Sequence, residues 1–187
     1  GDRDRGFLHF KKAIFTNYLP TIKTIVMYVI LAILLVFSVS RFYDLSFLAA
    51  SSDSEWYKYI TFQFIHNSFL HMTVNVIVIY LYWKTIKKHT LDWLAILIVA
   101  TSSTLSGYLG ASLPTIGASS IAFSLVGIYM VFIWNVFTKK ELIKYYGLAI
   151  LFLLIPPIIN HSLAFLVHLY SLGISVSLSL IMRNVLY

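Results

Sequence analysis

Five side chains in this sequence could do chemistry together. His66, His71 and Asn75 lie in "HNSFLHMTVN", Ser119 in "GASSIAFSLVG", and His168 in "FLVHLYS". A serine hydroxyl is a weak nucleophile until a neighbouring base takes its proton, and His168 is the available base. The tetrahedral species formed next carries an oxyanion, which pre-aimed donors stabilise. His71 and Asn75 stand at i and i+4, so both project from one face of a helix and their N–H groups can point at one spot. The backbone N–H of Ser119, at a helix start, adds a donor. The chemistry that wants these parts is acyl transfer. No Asp or Glu stands near His168 as a third member, which implies a Ser–His dyad.

Each residue also has a plainer reading. A serine after "GA" in a membrane helix is usually a small packing residue, and Asn75 alone would be an interhelical hydrogen-bonding residue. His66 could be wetted by headgroups. His168 is harder to set aside, because an ionisable residue inside a membrane span is a functional candidate by default. A metal site among His66, His71, His161 and His168 is a further possibility. It lacks a carboxylate on the outer side of the core spans, Asp92 standing at the inner end of the third, and it lacks the H-E-x-x-H signature; no metal or cofactor is expected.

The elements that must position these groups are membrane helices. Of 187 residues 59% are hydrophobic and 11% charged, with a mean hydropathy of +0.84. A soluble domain carries roughly a quarter charged residues. Apolar runs at 22–40, 66–83, 91–110, 117–137, 143–159 and 161–182 give six spans, each near the ~20 residues that cross a bilayer. The fifth ends at Pro156-Pro157, where a helix stops or kinks. There is no cysteine, which excludes disulfides and thiolate metal sites.

The net charge of +7 is distributed as a topology signal. Arg3, Arg5, Lys11, Lys12 and Lys23 come before or at the start of the first span; Lys84, Lys87 and Lys88 flank the second; Lys139, Lys140 and Lys144 follow the fourth; Arg183 follows the sixth. Only Arg41 and Lys58 fall in the long first loop. The positive-inside rule then makes both termini cytoplasmic, and anionic lipid, not nucleic acid, is the partner of this charge. Residues 1–21 read as an interfacial amphipathic segment closed by Pro20, with no cleavage site after the first span, and 22–187 as one six-helix domain.

This topology places the five residues at one depth. Spans two, four and six all enter from the outside. They deliver His66, His71 and Asn75, then Ser119, then His168 to the same outer layer, His168 lying about 10 Å of rise below His161.

These residues resemble the rhomboid family of intramembrane serine proteases. H-x4-H-x3-N is met by His66, His71 and Asn75; G-x-S by Gly117-Ala118-Ser119; the helix-6 histidine by His168. Phe123 and Gly127 fall where the family places an aromatic and a small residue. The glycine usual after the nucleophile is Ser120 here, those usual three and seven residues after the histidine are Ser171 and Ser175, and the first loop's Trp-Arg pair is loosely met by "WYK" at Trp56–Lys58. The resemblance implies an all-α, six-transmembrane-helix bundle with Ser119 at the base of a water-filled cavity. It implies Ser119 and His168 as the catalytic pair, and His71, Asn75 and Ser119 as the oxyanion site. His66, Gly117 and Phe123 are supporting residues, His66 as a brace for the first loop. Residues 41–65 would form that loop, and span five with "IPPIINHS" a lateral gate. Substrates would be single-pass membrane proteins, cut near the outer end of the span where the helix can unwind.

Two other functions fit less of the chain. An inactive rhomboid-like protein that binds membrane helices would typically have lost Ser119 or His168, and both are present. A small channel or transporter would need polar residues through the inner half, where Ser124, Ser177 and Ser179 read as packing residues. Few charges with abundant Ile, Lys, Phe and Tyr fit an AT-rich bacterial source, hence a plasma membrane with the site facing outward.

Overall fold

In hydrocarbon every backbone N–H and C=O must be paired within the protein, and a helix does this within one segment. The long apolar runs accordingly form helices. The structure, a computed structural model, describes residues 23–86, 92–132 and 164–186, together with 90, 138, 140, 143 and 147. The expected interfacial segment 1–21, Pro156-Pro157, His161 and all but two residues of the fifth span lie outside the described residues.

Five long helices are described: α1 (Lys23–Ser40), α2 (Phe69–Ile86), α3 (Asp92–Gly110), α4 (Ser119–Phe132) and α5 (Ala164–Leu186). They match the expected first, second, third, fourth and sixth spans. Segments Phe69–Ile86, Trp93–Gly110 and Phe165–Val185 are long and apolar enough to cross a membrane. The second helix begins three residues later than expected, so His66 precedes it instead of standing on it. Ile65, just before, is extended, with φ −93° and ψ 141°.

α4 is the centre of the bundle. Every residue from Ser120 to Tyr129 is buried, the signature of a helix apolar on all sides. It packs most extensively on α5, then on α3 and α2, while α1 leans on α2. The core joins Leu125, Ile128 and Tyr129 of α4 to Ile79, Tyr82 and Ile86 of α2, Leu94 and Ile98 of α3, and Ile33 of α1. Outward positions such as Leu35, Leu70 and Val185 are apolar too. That arrangement suits a lipid solvent, where helix association rests on close packing and hydrogen bonds instead of water exclusion.

Small residues set the closest approaches. A Cβ on Gly110 would stand 2.8 Å from the Val167 backbone nitrogen, and one on Gly127 2.8 Å from Ser175 Cβ. α5 therefore touches both α3 and α4 almost backbone to backbone. At the far end, Arg183 Nη1 donates to the Val131 carbonyl (3.1 Å), a further bond between α5 and α4.

The connection 111–118, which leads into Ser119, is held by the first loop. That loop runs through a 3-10 turn at Ser46–Leu48, a helical turn at Lys58–Thr61 and a second 3-10 turn at Phe62–Phe64. Ala50 and Thr115 exchange backbone hydrogen bonds of 3.1 and 2.8 Å, and Gly117 N–H donates to the Phe62 carbonyl (2.9 Å). Ala50, Tyr59 and Phe62 pack with Ala111 and Val167 in a second apolar cluster. The loosely matched "WYK" takes a different part: Trp56 is exposed, and Lys58 pairs with Glu55 at 2.7 Å.

Candidate active site

Ser119 opens α4 and His168 lies in the first turns of α5. Two separate helices thus supply the pair, and the α4–α5 contact decides whether they meet. They do: His168 Nε2 is 2.6 Å from Ser119 Oγ. For the hydroxyl to donate, Nε2 must be unprotonated and Nδ1 must carry the hydrogen. Phe123, one turn after the serine, stacks on the imidazole with centroids 4.7 Å apart and planes 28° apart. The ring is buried, and stacking fixes its orientation. Nδ1 finds no hydrogen-bond partner among the described residues.

His71 and Asn75 come to the same place from α2, and their meeting point is Gly117. A Cβ there would lie 2.7 Å from His71 Cε1, 2.9 Å from its Nε2 and 3.7 Å from Asn75 Nδ2. Gly117 also has φ +119°, a conformation that side chains rarely adopt. The residue is glycine for two separate reasons, backbone angle and space.

His66 is 3% exposed, so it is not a headgroup-wetted histidine. Its Nε2 accepts the Ala118 N–H (3.2 Å) and stands 3.1 Å from Asn75 Nδ2. Both neighbours are donors, so Nε2 carries no hydrogen and the ring is the Nδ1–H tautomer. His66 therefore ties α2, through Asn75, to the peptide preceding Ser119. One of the two Asn75 amide hydrogens is engaged here.

Asn67, which the sequence reading passed over, sets the state of His71. His71 Nδ1 is 3.1 Å from Asn67 Oδ1. When that oxygen accepts from Nδ1–H, a neutral His71 presents a bare Nε2 toward Gly117. Nε2 becomes a donor when Asn67 turns its NH2 to the ring, or when the ring is cationic. The i, i+4 spacing of Asn67 and His71 was the available signal. His66 and His71 meet edge to face at 5.0 Å.

Two of the serines in place of glycine, Ser171 and Ser175, are hydrogen-bonded across the α4–α5 contact, and Ser124, expected as a packing residue, is hydrogen-bonded too. Ser171 Oγ donates to the Ser120 carbonyl (2.5 Å) and Ser175 Oγ to the Ser124 carbonyl (2.6 Å). Ser124 Oγ also reaches Ser171 Oγ (2.8 Å) and Ser102 Oγ of α3 (2.7 Å). The Ser120 hydroxyl is the exception: it is buried and finds no partner among the described residues. No group of three or more His, Asp or Glu side chains able to hold a metal gathers among the described residues.

No curated protein matches the chain. The family model for the Rhomboid domain matches residues 53–185, a stretch that contains the loop, the Gly117 junction and both helices of the Ser119–His168 pair. With an all-helical membrane bundle as its fold, the chain belongs to the rhomboid family.

Proposed function

We propose that this integral membrane protein is a serine endopeptidase that hydrolyses peptide bonds in or near the transmembrane segment of single-pass membrane proteins. The observation that carries the reading is the 2.6 Å approach of Ser119 Oγ to His168 Nε2 across two helices. His168 takes the hydroxyl proton as Ser119 attacks the scissile carbonyl, then returns a proton to the leaving amine, leaving an acyl-enzyme. Water, deprotonated by the same imidazole, releases the acid and restores Ser119. The Ser119 N–H, Asn75 and His71 are the donors for the oxyanion. Residues 22–187 form the catalytic domain, with 1–21 at the cytoplasmic interface, and the active site opens to the extracytoplasmic face. His66, Gly117 and Phe123 support the pair, and lipid surrounds the bundle.

The test uses purified protein in detergent and in liposomes. Wild type should be modified at Ser119 by a fluorophosphonate and should cut members of a panel of single-span substrates, the cut sites being read by mass spectrometry. Ser119→Ala and His168→Ala should do neither. No modification and no cleavage in wild type would defeat the reading in favour of an inactive family member that binds membrane helices.

A further inference from the structure

A ladder of hydroxyls fixes the register of α5 on α4 beneath the candidate dyad. Its two rungs are Ser171 to the Ser120 carbonyl and Ser175 to the Ser124 carbonyl, each joining residues 51 apart in sequence. The rungs are one turn apart on both helices, so sliding α5 by a residue would break both together. The Ser119–His168 contact, between residues 49 apart, is the next contact along the same seam. A third helix joins in. Ser102 Oγ meets Ser124 Oγ, which meets Ser171 Oγ. Each hydroxyl has one hydrogen to give. Ser102 and Ser124 also have backbone acceptors on their own helices, the Ile98 carbonyl at 2.6 Å and the Ser120 carbonyl at 2.8 Å, so every hydroxyl in the cluster has an acceptor and the Ser120 carbonyl is approached by both Ser124 and Ser171. Ser102, Ser124, Ser171 and Ser175 are all fully buried, where an unmade bond is costly.

The rungs differ in what they adjoin. Ser171 is three residues from His168, and the carbonyl it holds is one residue from Ser119. Ser175 makes the same type of bond a turn further from the dyad. We propose that Ser171 is a positioning residue: its hydroxyl, bonded to the Ser120 carbonyl and in contact with Ser124, holds His168 at hydrogen-bonding distance from Ser119. Ser175 holds the helices together without setting that distance. The inference rests on the proposed hydrolytic role of Ser119 and adds a residue to it.

The experiment compares Ser171→Ala with Ser175→Ala in the full chain. It measures thermal stability and the second-order rate of Ser119 modification by a fluorophosphonate, well below each midpoint and across pH. Both variants should lose similar thermal stability. The rate should fall about tenfold or more in Ser171→Ala, with a displaced pH profile, and stay within about threefold of wild type in Ser175→Ala. Equal rates in the two variants, with wild type modified normally, would overturn the inference alone. Failure of wild type to be modified would remove the hydrolytic reading and this inference with it. Should Ser171→Ala not fold, Ser171→Cys carries the test, because a thiol fills the space and donates weakly. A slowed reaction at near-wild-type stability supports the positioning role, and an unchanged rate overturns it.

Discussion

The His71 ring lies against Gly117 on the face where a side chain would stand, 2.7 Å from the position of the missing Cβ. The absence of a side chain lets α2 present His71 and Asn75 directly to the backbone that leads into Ser119. Gly117 N–H is meanwhile held by the Phe62 carbonyl and Ala118 N–H by His66. The segment before the candidate nucleophile is thus fixed from two sides, by Phe62 of the first loop and by His66 just ahead of α2.

Gly117→Ala is expected to fail on both counts. The φ of +119° costs a non-glycine residue about 1–3 kcal/mol, and the new methyl collides with the imidazole. Fluorophosphonate modification of Ser119 should be lost and the thermal midpoint lowered; normal modification would show that the His71 contact is dispensable.

Asn75→Ala removes one proposed oxyanion donor and should slow substrate cleavage by about 10²-fold. His71→Ala should slow it on the same scale. Because Asn75 also touches His66, its stability should be measured in parallel. Unchanged turnover in both variants would reject the oxyanion assignment.

His66→Ala leaves the buried Ala118 N–H without its acceptor, at an expected cost of about 1–3 kcal/mol. Thermal unfolding in detergent measures it. His66→Gln, whose side-chain oxygen can accept the same hydrogen, should recover part of the loss, and equal stability of the two variants would argue that ring packing, not the bond, matters.

Ser120→Ala removes a buried hydroxyl that has no partner among the described residues. Stability should stay level or rise by up to about 1 kcal/mol, while the Ser120 carbonyl still receives Ser171. A marked loss of stability would mean that the hydroxyl has a partner.

Phe123→Ala takes away the face on which His168 is stacked. The freed imidazole should spend less time aligned with Ser119, lowering the modification rate by about tenfold. Phe123→Tyr should keep the stacking and most of the rate.

Much of this protein is legible in its sequence because the bilayer restricts the alternatives. Apolar runs of this length must be helices, and their order alone brings His71, Asn75, Ser119 and His168 to one layer of the bundle. The i, i+4 spacing put His71 and Asn75 on one face, and the structure keeps them together at Gly117. What the sequence could not decide is how α5 is rotated and registered on α4. That depends on the close approach at Gly127, with α3 set against α5 at Gly110, and on hydroxyl-to-carbonyl bonds between residues some fifty positions apart. A serine reads alike in sequence whether it fills space or bonds across an interface, so Ser124 reads as a packing residue, Ser171 and Ser175 only as departures from glycine, and Ser102 gives no signal. His66 was misplaced onto a helix for a related reason: periodicity shows where an apolar run begins, not where its backbone starts to coil. Depth along the bilayer normal follows from chain order and length. Contact between helices follows from side-chain fit, which only the tertiary structure supplies.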